Sequence, residues 1–470
     1  MVFSTYLFVF GFLPLVFAIY ALCVRTGRTD SAKWTLVVAS LAFYAYGSGG
    51  FFPWFVASVL FNYAMGRVLA AARGDGEHGS RRARALLAAG LVANVVLLGV
   101  YKYTDFVIFN LNEFLGAELP YQHIVLPIGI SFFTFQLVAY LVDSYRGSTR
   151  GYRFLDYLLF ITFFPQLIVG PIVHHKDVVP QYERLEPSRL SSSGMAPGVF
   201  LFAVGCAKKL VFADPLTGWS QRAFDHAEQL SMLDAWGASL GYTLSYYFDL
   251  SGYADMAIGL GLLFGIQLPI NFDSPYKARN FADYWRRWHI TLSRFLGDYV
   301  FHGVYRKGAG SANFYWAIFV TFLVSGFWHG AGWTFVVWGV LNGLFVMASH
   351  AMTRREWSLP GPLAWGLTFL GVIGVRILFV SGSFDDALHV MASAVDVGSF
   401  SLNPADNAYL ALKQPVYLLV ALAIVLFLPN SNQLKERFRP SFGYALATAS
   451  LLLLSLLDMA QVKGFLYFQF

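Results

Sequence analysis

The chain has 470 residues, of which 57% are hydrophobic, 18% aromatic and only 13% charged, a balance that excludes an ordinary soluble domain. Its formal net charge of +6 says little about partners until it is distributed over loops, and no nucleic-acid partner is expected. Cys23 and Cys206 lie in apolar segments with no partner at metal-ligand or redox spacing, which argues against a disulfide, a metal site or a thiol nucleophile.

Apolar segments fall near residues 2–24, 33–48, 51–70, 86–101, 124–142, 154–173, 195–213, 232–266, 313–327, 333–350, 363–380, 416–430 and 442–460. They predict an all-α, polytopic integral membrane protein with about 11–13 transmembrane or re-entrant helices. The first segment lacks a basic leader and a small-residue cleavage site, so it reads as a retained span. We expect one membrane domain over 1–470, made of N-terminal helices (1–123), a core (124–350) with a polar segment at 271–310, and C-terminal helices with an aromatic tail (351–470). The 46 Phe exceed what interfacial belts need and suggest rings packing a wide bundle or lining a lipid-facing funnel.

Basic loops set the expected orientation. Arg25, Arg28 and Lys33 in the first loop and Arg73, Arg81, Arg82 and Arg84 in the third place both on the cytoplasmic side, with the N-terminus outside. Arg146, Arg150, Arg153, Arg354, Arg355, Lys435, Arg437 and Arg439 extend that pattern, the acidic stretch from Asp385 to Asp406 falls outside, and so does the C-terminus. Parity fails between Ile172 and Asn271, and just before that span Pro165, Gly170 and Pro171 break a helix and suggest a re-entrant loop. His174 and His175 read as an interface loop, because no third metal ligand is in evident reach.

Further along, Asp249 and Asp255 sit in an apolar stretch, where carboxylates must pair, protonate or line a wet cavity. With Ser251 and Trp328 they are candidate tunnel-lining residues; satisfaction of freed backbone near Gly252 is an equal alternative. Between Ile270 and Gly310 the chain becomes polar and basic. Asn280 and Asp283 mark a helix start, after which Trp285, Trp288, Leu292, Phe295, Leu296 and Tyr299 recur at helical spacing, with Arg286, Arg287 and Arg294 opposite. The predicted amphipathic helix serves either as an interfacial anchor or as a receiver of an anionic cytosolic donor, with Lys277, Trp285, Arg286, Arg287, Trp288 and Arg294 as donor-binding candidates.

The most informative stretch is Val324–Trp333, which holds His329 inside an apolar run from Phe314 to Met347 without Asp, Glu, Lys or Arg. An imidazole at membrane depth is a functional-site candidate, although one bonded to a nearby carbonyl also fits. Basic residues on both flanks suggest a crossing and return, with the arm Asn313–Phe327 spanning about 22 Å at the helical rise, short of the ~30 Å hydrocarbon core. A single long kinked crossing competes with that hairpin.

Tyr246 to Gly265, Phe281–Ser293, Phe164–Pro171 and Gly326–Gly330 together resemble the membrane-bound O-acyltransferase superfamily, in particular its bacterial branch with the alginate, peptidoglycan and cellulose O-acetyltransferases and the teichoic acid D-alanyl transferase. The resemblance implies helices around a central tunnel, His329 as catalytic residue and His289 as the second site residue. It implies an acyl thioester donor, acetyl-CoA for the acetyltransferases, a hydroxyl acceptor on an extracytoplasmic polysaccharide, and a periplasmic or membrane-anchored partner transferase. It also marks Tyr467, in the aromatic C-terminal motif, as a candidate acyl carrier. No bound cofactor is expected. Transfer of a D-alanyl or longer acyl group remains open, as do a polysaccharide transporter and a non-catalytic scaffold; lack of a second charged span argues against the transporter.

Overall fold

The computed structural model describes residues 2–72, 80–149, 151–409 and 413–461; Arg73, Arg150 and Tyr467 lie outside them. Among the described residues there are helices and no strands. In chain order the helices are α1 (Leu13–Arg25), α2 (Thr29–Ser48), α3 (Phe52–Ala72), α4 (Arg81–Leu115), α5 (Ile130–Arg146), α6 (Phe154–Thr162), α7 (Phe164–Leu167), α8 (His175–Tyr182), α9 (Ser192–Ala207), α10 (Asp214–Phe224) and α11 (Met232–Leu263). They continue as α12 (Phe281–Arg287), α13 (Ile290–Leu296), α14 (His302–Val304), α15 (Gly310–His329), α16 (Trp333–Arg354), α17 (Gly361–Val380), α18 (Phe384–Ser393), α19 (Lys413–Phe427), α20 (Ser431–Glu436) and α21 (Phe442–Asp458). Seven described helical runs are long and apolar enough to cross a membrane, and α19 and α21 are shorter apolar helices. The expected segment at 154–173 is not one helix: α6 stops at Thr162, α7 is a single turn, and a turn and irregular chain follow to His174. Pro165 and Gly170 explain the breaks, since proline cannot continue a helix and a Cβ on Gly170 would strike the Gln166 backbone.

The chain divides into two compact units. Unit 1 comprises Met1–Phe202 and Met256–Pro269. Its core uses the phenylalanine excess directly: Phe3, Phe8, Phe43 and Phe164 are all buried and pack ring on ring, Phe3 lying 5.5 Å from Phe43 and Phe8 6.1 Å from Phe164 between centroids. Several buried polar groups are paired, which offsets the cost of burying them. Lys33 Nζ meets Asp156 at 2.6 Å, and Asn62 and Asn94 exchange side-chain hydrogen bonds between α3 and α4. One expectation is corrected here. His174 and His175 do have a third group in reach, because Asp143 of α5 brings Oδ2 to 2.8 Å from His174 Nε2 and 3.0 Å from His175 Nε2. A metal would need the His174 Nε2 lone pair. The Lys176 N–H donates to His174 Nδ1 instead, which puts the imidazole proton on Nε2 and makes the bond to Asp143 an ordinary hydrogen bond.

Unit 2 comprises Ala203–Asp255 and Ile270–Phe470 and holds both candidate histidines. Its polar interior is arranged around ion pairs. Lys209 Nζ lies 2.5 Å from Asp249 and 2.9 Å from Asp214; Lys208 Nζ lies 2.6 Å from Asp255, and Ser431 donates to the same carboxylate. Of the three fates open to Asp249 and Asp255, pairing is the one observed. The backbone near Gly252 is not freed, since α11 runs through it without a break. Gly252 instead admits the backbone of Gly205, whose carbonyl a Cβ would meet at 2.9 Å.

α15 and α16 form a hairpin rather than a single kinked crossing. Gly326 and Gly339 let their backbones touch: a Cβ on Gly339 would lie 2.6 Å from Phe322 O and 3.0 Å from Gly326 Cα. The first arm is longer than expected, because the helix starts at Gly310 and continues through His329; its 20 residues span about 30 Å at the helical rise. The reversal occupies Gly330, Ala331 and Gly332.

Candidate active site

His329 closes α15 and is 3% exposed. Its ring sits edge-to-face against Trp338 of α16 at 4.8 Å between centroids and against Phe379 of α17 at 5.3 Å, with Trp328 beside it at 4.8 Å. Trp338 belongs to a braced face of α16. Asn342 donates to the Trp338 carbonyl and accepts from Trp285 Nε1, tying α12 to the wall of the histidine.

The amphipathic segment begins where the sequence places it, with Asn280 Oδ1 accepting from Asp283 N at 2.8 Å. It is not one helix. Trp288 ends α12, and His289 adopts the left-handed region at φ 47°, ψ 52° before α13 begins. Asn271 holds this conformation in place: its backbone carbonyl accepts from Ile290 N, and its side-chain oxygen accepts from Thr291 N and Thr291 Oγ1. The same oxygen lies 3.2 Å from His289 Nδ1. Because that oxygen already serves as acceptor to a backbone N–H, His289 Nδ1 must carry the proton, leaving the lone pair on Nε2. Trp328 stands between the two histidines, 6.2 Å from His289 between centroids.

Burial pushes the His289 imidazole down to about 3 from an ordinary 6.5, so it is neutral throughout the physiological range. In the unfolded chain it takes up a proton below about pH 6.5, whereas the folded protein resists until about pH 3. Stability present at neutral pH is therefore lost as pH falls across that window. We expect His289→Gln in detergent to show a shallower fall of Tm between pH 6.5 and 4 than the parent protein; identical slopes would refute this account.

A cavity of about 450 Å³ opens beside this centre, within the usual range for ligand pockets. It is lined by Arg286 and Trp285 of α12, Ser293 of α13, His350 and Thr353 of α16, and a stripe along α15 at Phe314, Ile318, Thr321, Phe322 and Ser325. The stripe stops at Ser325, one helical turn before His329.

The donor-binding candidates divide. Trp285 and exposed Arg286 line the cavity. Arg287 is held by Asp283 at 3.1 Å, Arg294 faces Asp298 at 3.9 Å, and Lys277 Nζ bonds to the Leu428 carbonyl. Trp288 is buried and stacks on Tyr246 at 5.7 Å. Of the tunnel-lining candidates, Trp328 is at the centre, Asp249 and Asp255 are in their lysine pairs, and Ser251 is buried on α11 between them. Asn271, Asn342 and Arg376 were missed by the sequence reading. Arg376 was visible as the lone charge in the apolar run 363–380, and it also overturns the argument that no second charged span exists.

The scaffold is all-helical among the described residues, with a buried histidine at the end of a membrane-length helix and a ligand-sized cavity that stops one turn short of it, the makings of a polytopic membrane protein with a candidate site at that histidine. The chain belongs to the membrane-bound O-acyltransferase family, whose model matches residues 11–358. It is a multi-pass acyltransferase of the bacterial inner membrane. It is 40% identical to the peptidoglycan O-acetyltransferase of Helicobacter pylori over 86% of this chain and 81% of the relative. It is 34% identical to the probable alginate O-acetylase of Pseudomonas aeruginosa over 91% and 81% of the two chains, and 32% identical to that of Pseudomonas putida over the whole of both.

Proposed function

We propose that the enzyme takes an acetyl group from acetyl-CoA on the cytoplasmic side and delivers it to hydroxyls of an extracytoplasmic polysaccharide, peptidoglycan or an alginate-like polymer, the acceptors that the relatives' names state. The observation that carries this reading is the cavity that begins at Arg286 and ends one turn below His329. An exposed guanidinium at one end suits an anionic carrier, because arginine recognises phosphate groups in bidentate fashion. The apolar stripe along α15 suits the uncharged arm that brings a thioester toward the imidazole.

In this reading His329 takes the proton of the attacking hydroxyl as general base. His289, with its lone pair on Nε2, positions the donor or assists the departing thiolate by orienting the group that protonates it. Tyr467 is the proposed acyl carrier between the two faces, and a partner transferase outside the membrane completes delivery. The test is mass spectrometry of the C-terminal peptide after purified protein meets isotopically labelled acetyl-CoA. We expect label on Tyr467 that disappears in Tyr467→Phe and His329→Ala. Thioester turnover without label on Tyr467 would remove the relay and leave direct transfer; no turnover in the parent protein would remove acetyl-CoA as donor.

A further inference from the structure

Arg376 of α17 is 4% exposed, and its guanidinium is held on aromatic faces: its central carbon lies 4.2 Å from the ring centroid of Tyr246, 5.0 Å from Trp288 and 5.1 Å from Phe379. The guanidinium hydrogen-bonds Tyr284 Oη at a long 3.4 Å and also the Tyr246 hydroxyl, while Nε is buried with no hydrogen-bond partner among the described residues. Guanidinium offers five N–H donors, and the one on Nε is unused. The buried lysines of the same unit are different, since Lys208 and Lys209 each hold carboxylates at 2.9 Å or closer. Ring faces offset part of the charge by cation–π attraction but offer the N–H groups no oxygen.

Its location gives this arrangement meaning. Trp288 immediately precedes His289, and Phe379, one turn along α17 from Arg376, is the ring packed on His329. The two histidines and the arginine thus belong to one aromatic cluster closed by Trp328. A permanent cation with an unused donor in a water-poor cluster is the form in which positive charge acts most strongly on a developing anion.

We propose that Arg376 stabilises the negative charge that forms on the acyl carbonyl oxygen during transfer, an inference that rests on the thioester reading above. The acceptor hydroxyl oxygen bonds to the carbonyl carbon, its proton passes to His329, and the carbonyl π pair moves onto oxygen, where Arg376 N–H groups meet it. The pair then returns to re-form the carbonyl, the carbon–sulfur bond breaks, and the thiolate leaves and recovers the proton from His329.

The test uses full-length protein in lipid nanodiscs with acetyl-CoA carrying ¹³C at the carbonyl. In the His329→Ala background, which holds the donor without turning it over, the infrared carbonyl band is expected to move to lower frequency on binding, and to return toward its solution position when Arg376→Gln is added. In the His329-containing enzyme, Arg376→Gln is expected to lower kcat about 10²- to 10³-fold, the scale of a lost oxyanion donor, with KM changed little and Arg376→Lys recovering part of the loss. An unchanged band, or a kcat loss that follows a fall in Tm for both variants, would make Arg376 a packing residue and overturn the proposal while His329-dependent turnover stands. Parent protein that neither binds nor turns over the thioester would overturn the donor reading itself, and this proposal with it.

Discussion

His329→Ala and His329→Gln are expected to lower thioester turnover by about 10²- to 10⁴-fold, the contribution of a positioned general base. The Gln variant is the sharper test, because it keeps a polar side chain of similar reach between Trp338 and Phe379 while abolishing basicity. The tight ring contacts around His329 also invite a packing explanation, and alanine would leave a void among Trp328, Trp338 and Phe379. Turnover and Tm must therefore be measured on the same samples. Activity lost with Tm retained in the Gln variant assigns the imidazole to chemistry. Activity retained in Gln would reduce His329 to hairpin packing and place the general base elsewhere. Phe335→Ala offers a control on the same hairpin: its ring fills the space beside Gly330, so it should lower Tm without the same loss of turnover per folded molecule.

Much of the scaffold was legible because membrane helices advertise themselves by uninterrupted apolar length. The hairpin at His329 was also open to inspection, since glycines at 326, 330 and 332 permit close approach and reversal. What escaped were features decided by distant chain. Periodicity from Trp285 to Tyr299 describes a continuous helix, and nothing local in Trp288–His289 opposes it. The break is stabilised from Asn271, eighteen positions away, whose oxygen and carbonyl satisfy the groups that a kink at His289 releases. Asp143 likewise meets His174 and His175 only through folding of α5 against the segment before α8. Arg376 was legible in the sequence as the one arginine in the apolar run 363–380, and it has the same claim to function as one histidine in such a run.

Lys209→Met is expected to be the most destabilising of the substitutions considered, at about 3–5 kcal/mol, the cost of breaking a buried ion pair by removing one partner. Lys209 is 1% exposed and stands between Asp214 of α10 and Asp249 of α11, whose side chains are 10% and 0% exposed. Removing the ammonium takes away the cation that two buried carboxylates share, in surroundings that water cannot reach to compensate. Replacing the partner at the same time changes the balance: Lys209→Met with Asp249→Leu deletes a cation and an anion together, and buried pairs exchanged for apolar side chains of similar volume are often neutral in stability. The double variant should therefore recover part of the Tm lost in the single one, measured by size-exclusion chromatography of heated detergent extracts, the remainder reflecting Asp214, which still loses the Lys209 cation. Activity of the recovered double variant then decides what the carboxylate is for. Full turnover makes Lys209 and Asp249 a structural pair that ties the Lys208–Ala213 turn to α11; a stable, folded double variant without turnover would return Asp249 to the path that substrate or proton follows through the membrane.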